Sequence, residues 1–266
     1  METCAYLVNS TPKYYGLLPL HFTLLKRYAS WLDMPLFLAT EEPSHPICQQ
    51  VEAMGVTLLR LNRADAGFLD SRKAALQQLA LTGRFKMVLP MQEDFLLDRE
   101  PDPVGILQAI ELLRKSYTAS ARLMPCPGPN GPMLKSNLDW ASITETTDEY
   151  GFSFQATIWK LEGCMLFYKG LCEKLEAGWP VATTPPEERR HVEIRANFAE
   201  NPEGQRFFWE FFNARGEKHI GWKRQGKWSN AVYLSPWPYR PTAIVQGVLE
   251  PWAEELARRE GMPVVV

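Results

Sequence analysis

Short apolar runs that alternate with helix-period segments constrain this chain more than any other feature. Residues 5–8, 36–39, 56–61, 85–89 and 117–124 are runs of strand length. Helical spacing fills the gaps between them. From about 19 to 32, Leu20, Leu24, Leu25, Tyr28, Trp31 and Leu32 recur every three or four residues. Further helices are predicted at 45–54, ending at Gly55; at 68–81, ending near Gly83; and at 103–115. Pro19 suits a first helical turn, where its missing N–H costs nothing. This alternation predicts an α/β fold with a mostly parallel sheet covered on both faces. In such a sheet ligands gather at the carboxyl ends of the strands. Three polar clusters follow strands here: Asn9-Ser10-Thr11, Thr40-Glu41-Glu42 and Gln92-Glu93-Asp94.

Beyond residue 125 the pattern changes. Residues 126–137 are rich in Pro and Gly and predict a loop. Residues 152–159 alternate like a strand, and helices are predicted at 162–175, 187–198, 203–215 and about 251–259. The 203–215 helix carries Phe207, Phe208, Trp209, Phe211 and Phe212, a wide apolar face that reads as core. Residues 219–243 read as turn-rich and basic. With no repeat and no linker, the expectation is a single domain over 1–266 with a variable C-terminal part.

Composition removes several classes of function. A formal net charge of −2 is not the footprint of a general nucleic-acid binder. The five cysteines are an odd number without a CxxC pair, which argues against structural zinc and for reduced thiols in a cytoplasmic setting. The N-terminus lacks the basic region and apolar core of a secretory signal, and no apolar run reaches membrane-spanning length. Peripheral contact with a membrane stays open.

The chemistry concentrates in MVLPMQEDFLLD, residues 87–98. A buried strand runs into Glu93 and Asp94, then resumes with Phe95, Leu96 and Leu97. Carboxylates are costly there unless paired, hydrogen-bonded or metal-bound. Mg²⁺ or Mn²⁺ takes oxygen ligands and keeps waters and substrate phosphates, so one or two protein carboxylates suffice. A cation there would bridge the diphosphate of a nucleotide-sugar and offset charge on the leaving nucleotide. The plain alternative is a solvated turn. No HExxH, GxSxG, GxGxxG or Walker-type loop competes.

Other candidates accompany the acids, each with a plain structural alternative. Arg72, early in the 68–81 helix, approaches phosphates, pairs with a carboxylate, or is a surface charge. Arg122 holds an acceptor or organises the acidic loop. Gln155 and Trp159 bond and wall a sugar, or are an edge amide and a core indole. Glu187, Glu188 and Glu193 offer a general base for inverting transfer, with Glu193 preferred, or form a solvated helix face. Asp148 and Glu149 are the next bases to test. Lys223, Arg224 and Lys227 meet phosphates or are loop charges.

Taken in order, these pieces resemble a known family. The segments STPKYY (10–15), LATEEP (38–43), LDSR (69–72), LPMQEDFLL (89–97), SARLMPCPGP (120–129), SFQATIW (153–159) and YRPTAIVQG (239–247) resemble GT-A-fold glycosyltransferases. Small enzymes of that kind occur in bacteria and large DNA viruses. The resemblance implies a GT-A-like, Rossmann-related central sheet. About 1–125 would be a nucleotide-binding half, and about 126–266 an acceptor-side half with a C-terminal flap. It implies transfer of a sugar from a UDP-linked donor to a hydroxyl of a glycan or other acceptor, metal-assisted and inverting, in a bacterial cell or virus-infected host. Asp94 would be the direct ligand of Mn²⁺ or Mg²⁺ with Glu93 beside it, although Gln92 replaces the first acid of the family's DxD motif. Thr11 and Glu41 would lie around the base and ribose, Arg72 near the diphosphate, and Gln155 and Trp159 beside donor sugar and acceptor. Glu193 would be the base. Two other classes remain: a nucleotidyltransferase that makes sugar nucleotides, and a non-catalytic carbohydrate-binding protein.

Overall fold

The computed structural model describes residues 3–62, 67–115, 117–177, 202–223, 232–240, 242–262 and 264. The first half alternates as its periodicity predicts. Strands β1 (Thr3–Asn9), β2 (Leu36–Thr40), β3 (Thr57–Arg60) and β4 (Phe85–Gln92) are separated by helices α1 (Leu18–Tyr28), α2 (Pro46–Ala53) and α3 (Phe68–Leu81). A two-residue strand β5 (Leu96–Leu97), helix α4 (Pro103–Lys115) and strand β6 (Thr118–Arg122) follow. His45 caps α2 through Nδ1, which accepts from the Ile47 N–H at 3.2 Å. Gly55, at φ +84°, takes the left-handed turn that ends that helix.

The second half adds β7 (Met133–Leu134), β8 (Asn137–Ile143), β9 (Thr157–Lys160), α5 (Leu161–Glu176), α6 (Pro202–Ala214) and β10 (Lys218–Trp222). After these come β11 (Tyr239–Arg240), β12 (Ile244–Val245), β13 (Val248–Leu249) and α7 (Pro251–Arg259). The main sheet has nine strands in the order β3-β2-β1-β4-β9-β6-β10-β8-β7. It is mostly parallel: β9 and β8 run against the others.

Strand alternation divides the core between two faces. Cys4, Tyr6 and Val8 join residues of α1, α2, α4 and α7, while Ala5 and Leu7 join residues of α3, α5 and α6. The mostly parallel α/β sheet expected from sequence is thus observed, with helices on both sides. All five cysteines are free thiols. No helix among the described residues is long and apolar enough to cross a membrane.

Four expectations need correction. The loop expected over residues 126–137 contains β7, which pairs antiparallel with β8. The first helix ends at Tyr28, not Leu32, because the Ala29 N–H makes its last helical bond to Leu25. The strand expected over 152–159 begins only at Thr157. Ahead of it, both backbone groups of Phe152 are taken by one side chain: the Gln205 amide on α6 accepts from its N–H and donates to its C=O, each at 2.9 Å. A backbone satisfied that way has no need of a ladder. The stretch read as turn-rich from 219 contains β10, which finds its ladders in distant strands β6 and β8.

His219 on β10 gives the fold a pH signature. It is buried among the rings of Trp159, Phe208, Trp209 and Phe212, with Nδ1 2.8 Å from the Ser120 hydroxyl. Burial, then the Arg122 charge, lowers its pKa from 6.5 to about 3. The unfolded chain therefore binds the extra proton between those values. His219 supports stability fully above pH 6.5, and that support is lost as pH falls toward 3. The expected result is that His219→Gln flattens the acid limb of stability by about 1.4 kcal/mol per pH unit between pH 6 and 4, measured by urea unfolding.

Candidate functional site

The chain leaves β1 outward through β2 and β3, then returns to place β4 on the other side of β1. That reversal makes the carboxyl ends of β1 and β4 a topological switch point, where open α/β sheets bind ligands. Asn9 pairs in register with Gln92 of β4 and Ala39 of β2. The three polar clusters that follow β1, β2 and β4 therefore sit side by side. Beyond Val88, β4 has no further ladder to β9. The two strands part there, and a small cleft opens among Arg72, Pro90, Met91, Gln92, Ser153, Phe154, Gln155 and Trp159.

Glu93 and Asp94 form a tight turn after β4, and both are buried. Burial, then the neighbouring Asp94 carboxylate, raises the Glu93 pKa from 4.5 to about 8. Burial raises Asp94 from 3.8 to about 6, against backbone N–H donors that include those of Ile244 and Ala243. Arg72 is the cation that draws both values back. It is buried on α3, its Nη1 donates to the Phe68 carbonyl at 3.0 Å, and its guanidinium lies 3.6 Å from the centre of the Phe68 ring. The net result is two buried carboxyl groups with too little positive charge beside them.

The cation chemistry expected of this turn fits the donor set. Among the described residues no group of three or more His, Cys, Asp and Glu side chains could cage a metal. Mg²⁺ and Mn²⁺ do not require one, since one or two carboxylates plus phosphate oxygens and water complete their shells. A divalent cation beside the turn would favour the ionised carboxylates that burial now disfavours.

The other predicted residues take varied positions. Thr11 is half-buried at the start of the 3₁₀ turn Pro12–Leu17, directly after β1, and Glu41 is half-buried directly after β2. Gln155 borders the cleft, and its Oε1 accepts from the Tyr239 hydroxyl. Trp159 is buried in the aromatic core against Phe152, Phe208 and Phe212, bordering the cleft from within. Arg122 is engaged by backbone: it donates to the carbonyls of Pro127, Tyr150 (3.1 Å) and Gly151 (2.8 Å). The Asp148 carboxylate accepts from the N–H groups of Asn130 and Thr144 and from the Thr147 hydroxyl, which ties it to loop structure. Lys223 lies at the β7–β8 edge, with Nζ 2.8 Å from Met133 Sδ. Glu187, Glu188, Glu193, Arg224 and Lys227 lie outside the described residues.

Three contributors were given no individual role by the sequence. The Asn9 amide is buried at the end of β1, and its Nδ2 has no hydrogen-bond partner among the described residues. His21 bonds the Glu93 carbonyl at 3.1 Å and the Tyr6 hydroxyl at 2.9 Å. Tyr239 stacks on Phe95 with centroids 4.8 Å apart and accepts from the Ala156 N–H at 3.2 Å. It thereby joins the C-terminal segment to both the acidic turn and the Gln155 side of the cleft. Asn9 was visible as a polar residue ending a strand. Tyr239 was visible as the first residue of the YRPTAIVQG segment, though not its contacts, while His21 sits among apolar neighbours and gave no local signal.

No protein-family model matches the chain, and no curated protein matches it. Solved structures share a loose likeness to it. A cytidylyltransferase from Leptospira borgpetersenii is 13% identical at TM-score 0.38, with 76% of this chain and 74% of that one covered. A nucleotidyl transferase from Methanothermobacter is 9% identical at TM-score 0.47, covering 84% and 88%. S. aureus TarS 1-349, in complex with UDP-GlcNAc, is 15% identical at TM-score 0.40, covering 60% and 46%. None of these likenesses assigns a reaction to the chain.

Proposed function

We propose that the protein is a metal-dependent transferase that takes a nucleotide-diphosphate sugar, UDP-linked, and passes the sugar to a hydroxyl of a glycan or other acceptor. The observation that carries this reading is the buried Glu93–Asp94 pair at the switch point between β1 and β4, on which the buried Arg72 charge acts. Such a pair suits a cation shared with a diphosphate better than it suits a solvated turn. The Asn9 amide is buried at the neighbouring strand end, and its Nδ2 has no hydrogen-bond partner among the described residues.

In this reading Asp94 would hold Mn²⁺ or Mg²⁺, and Glu93 would shape the turn beside it. The cation supplies charge that stabilises the departing nucleoside diphosphate. Arg72 adds fixed positive charge to the same diphosphate. Thr11 and Glu41 flank the nucleoside, and Gln155 borders the sugar. Proton removal from the acceptor falls to Glu193, by the family resemblance, with inversion at the anomeric carbon.

The test is a panel of sugar nucleotides, nucleoside triphosphates and free glycans, each with and without Mn²⁺, followed by thermal unfolding and by release of nucleotide. UDP with Mn²⁺, present at a hundred times its Kd, stabilises by about 2.7 kcal/mol, and the matching sugar nucleotide is slowly cleaved to UDP. Pyrophosphate release from a triphosphate and a sugar phosphate would instead make the protein a nucleotidyltransferase. Stabilisation by free glycans alone would reject both enzymes.

A further inference from the structure

We infer that His21 is a positioning residue for the acidic turn, holding the peptide between Glu93 and Asp94 in place through a directed Tyr6–His21–Glu93 hydrogen-bond chain. The inference deepens the reading of the turn as a cation and diphosphate site and rests on that reading for its functional consequence.

The direction of the chain follows from what each atom can do. A carbonyl oxygen only accepts, so the contact at 3.1 Å between Nδ1 and the Glu93 oxygen requires a proton on Nδ1. In the neutral ring Nε2 is then the acceptor, and the Tyr6 hydroxyl, 2.9 Å away, must donate to it. Tyr6 is fixed in the middle of β1, and His21 lies buried in α1. The contact thus ties the turn after β4 to both the central strand and the first helix.

The acceptor atom is well chosen for control. The Glu93 carbonyl belongs to the peptide plane that also carries the Asp94 N–H, so fixing it sets the backbone on both sides of the acid pair. The two neighbouring carbonyls are held by other means. Gln92 accepts from the Phe95 N–H at 3.2 Å, and Asp94 from the Ala243 N–H at 3.1 Å. Of the three anchors, His21 supplies the one made by a side chain, and a substitution can remove it without altering the backbone.

Three substitutions separate positioning from packing. His21→Leu keeps volume but removes both bonds. His21→Gln can still accept from Tyr6 but puts no donor where Nδ1 lies. His21→Asn is smaller, yet its amide can place an N–H near the Nδ1 position. Positioning predicts that Asn rescues and that Leu and Gln fail; packing predicts that Asn is the worst of the three. Two readouts are taken for each: the Mn²⁺ midpoint for stabilisation by UDP, and hydrogen exchange at the Phe95 and Ala243 amides, which report the turn without any cation.

The expected result is a Mn²⁺ midpoint raised about tenfold in His21→Leu and His21→Gln, as for other residues that orient a ligand from behind. Exchange at both amides rises by at least the same factor, and His21→Asn stays within about threefold of wild type on both readouts. A wild-type Mn²⁺ midpoint in His21→Leu, or a loss in His21→Asn as large as in His21→Leu, overturns the inference. If wild type itself gives no Mn²⁺-dependent stabilisation, the proposed function fails. Exchange then decides His21 alone: faster exchange in Leu and Gln with rescue by Asn upholds its hold on the turn, and any other order rejects it.

Discussion

Asp94→Asn is expected to lose Mn²⁺-dependent stabilisation by UDP and to reduce kcat/KM for sugar transfer by about a thousandfold, roughly 4 kcal/mol of transition-state stabilisation. The substitution is nearly isosteric, and the bond from the Ala243 N–H to the main-chain carbonyl of residue 94 does not involve the side chain. What disappears is the charge. Without it a hard cation has a weak ligand in place of its main protein anchor. The same change should raise the stability of the ligand-free protein by roughly 1–3 kcal/mol, because burial alone already pushes the Asp94 pKa up to about 6. The variant no longer buries an ionised group that the surroundings oppose. Activity and stability thus move in opposite directions, which a residue serving only the fold would not show. Full metal-dependent transfer by Asp94→Asn would remove Asp94 from the cation site. Urea unfolding and initial rates over a Mn²⁺ titration supply both measurements.

Arg122→Met should cost about 3–5 kcal/mol of stability, read as a fall in the urea midpoint at unchanged slope. Arg122 is fully buried, and its guanidinium donates to the carbonyls of Pro127, Tyr150 and Gly151. Methionine fills much of the volume but donates nothing, so three carbonyls lose a charged donor inside the protein. The segments they belong to are functional neighbours. Residues 150 and 151 lead into Phe152, Ser153 and Gln155 beside the cleft, and Pro127 opens the loop before β7. Transfer should weaken as the wall loosens. If Arg122→Met kept wild-type stability while losing acceptor binding, Arg122 would be a substrate contact and not the staple of these loops.

The two variants differ in how far the sequence foretells them. An acid at the end of an apolar strand is a conflict within a few neighbouring residues, so the sequence alone makes Asp94 conspicuous. Arg122 is equally visible as a charge on an expected strand, but its partners lie as far as 29 residues away, in segments with no periodicity. Its engagement with backbone follows from where those segments return. Gln155 and Trp159 show the same divide. The alternation of residues 152–159 puts both on one strand, and the Gln205 contact to Phe152 shortens that strand and leaves the indole in the aromatic core.

The sequence by itself determined the strand–helix alternation, the bounds of α3 and α4, the parallel run of β1 to β4 and the acid at the end of β4. Each depends on spacings of two, three or four residues, which backbone geometry imposes locally. Only the tertiary structure decided that antiparallel β9 enters between β4 and β6, that β10 lies against β6, and that His21 reaches the Glu93 carbonyl. His219 meets Ser120 across 99 residues, and His21 meets Glu93 across 72. Contacts of that range are selected by how whole layers bury their faces against one another, and a local pattern holds no record of that choice.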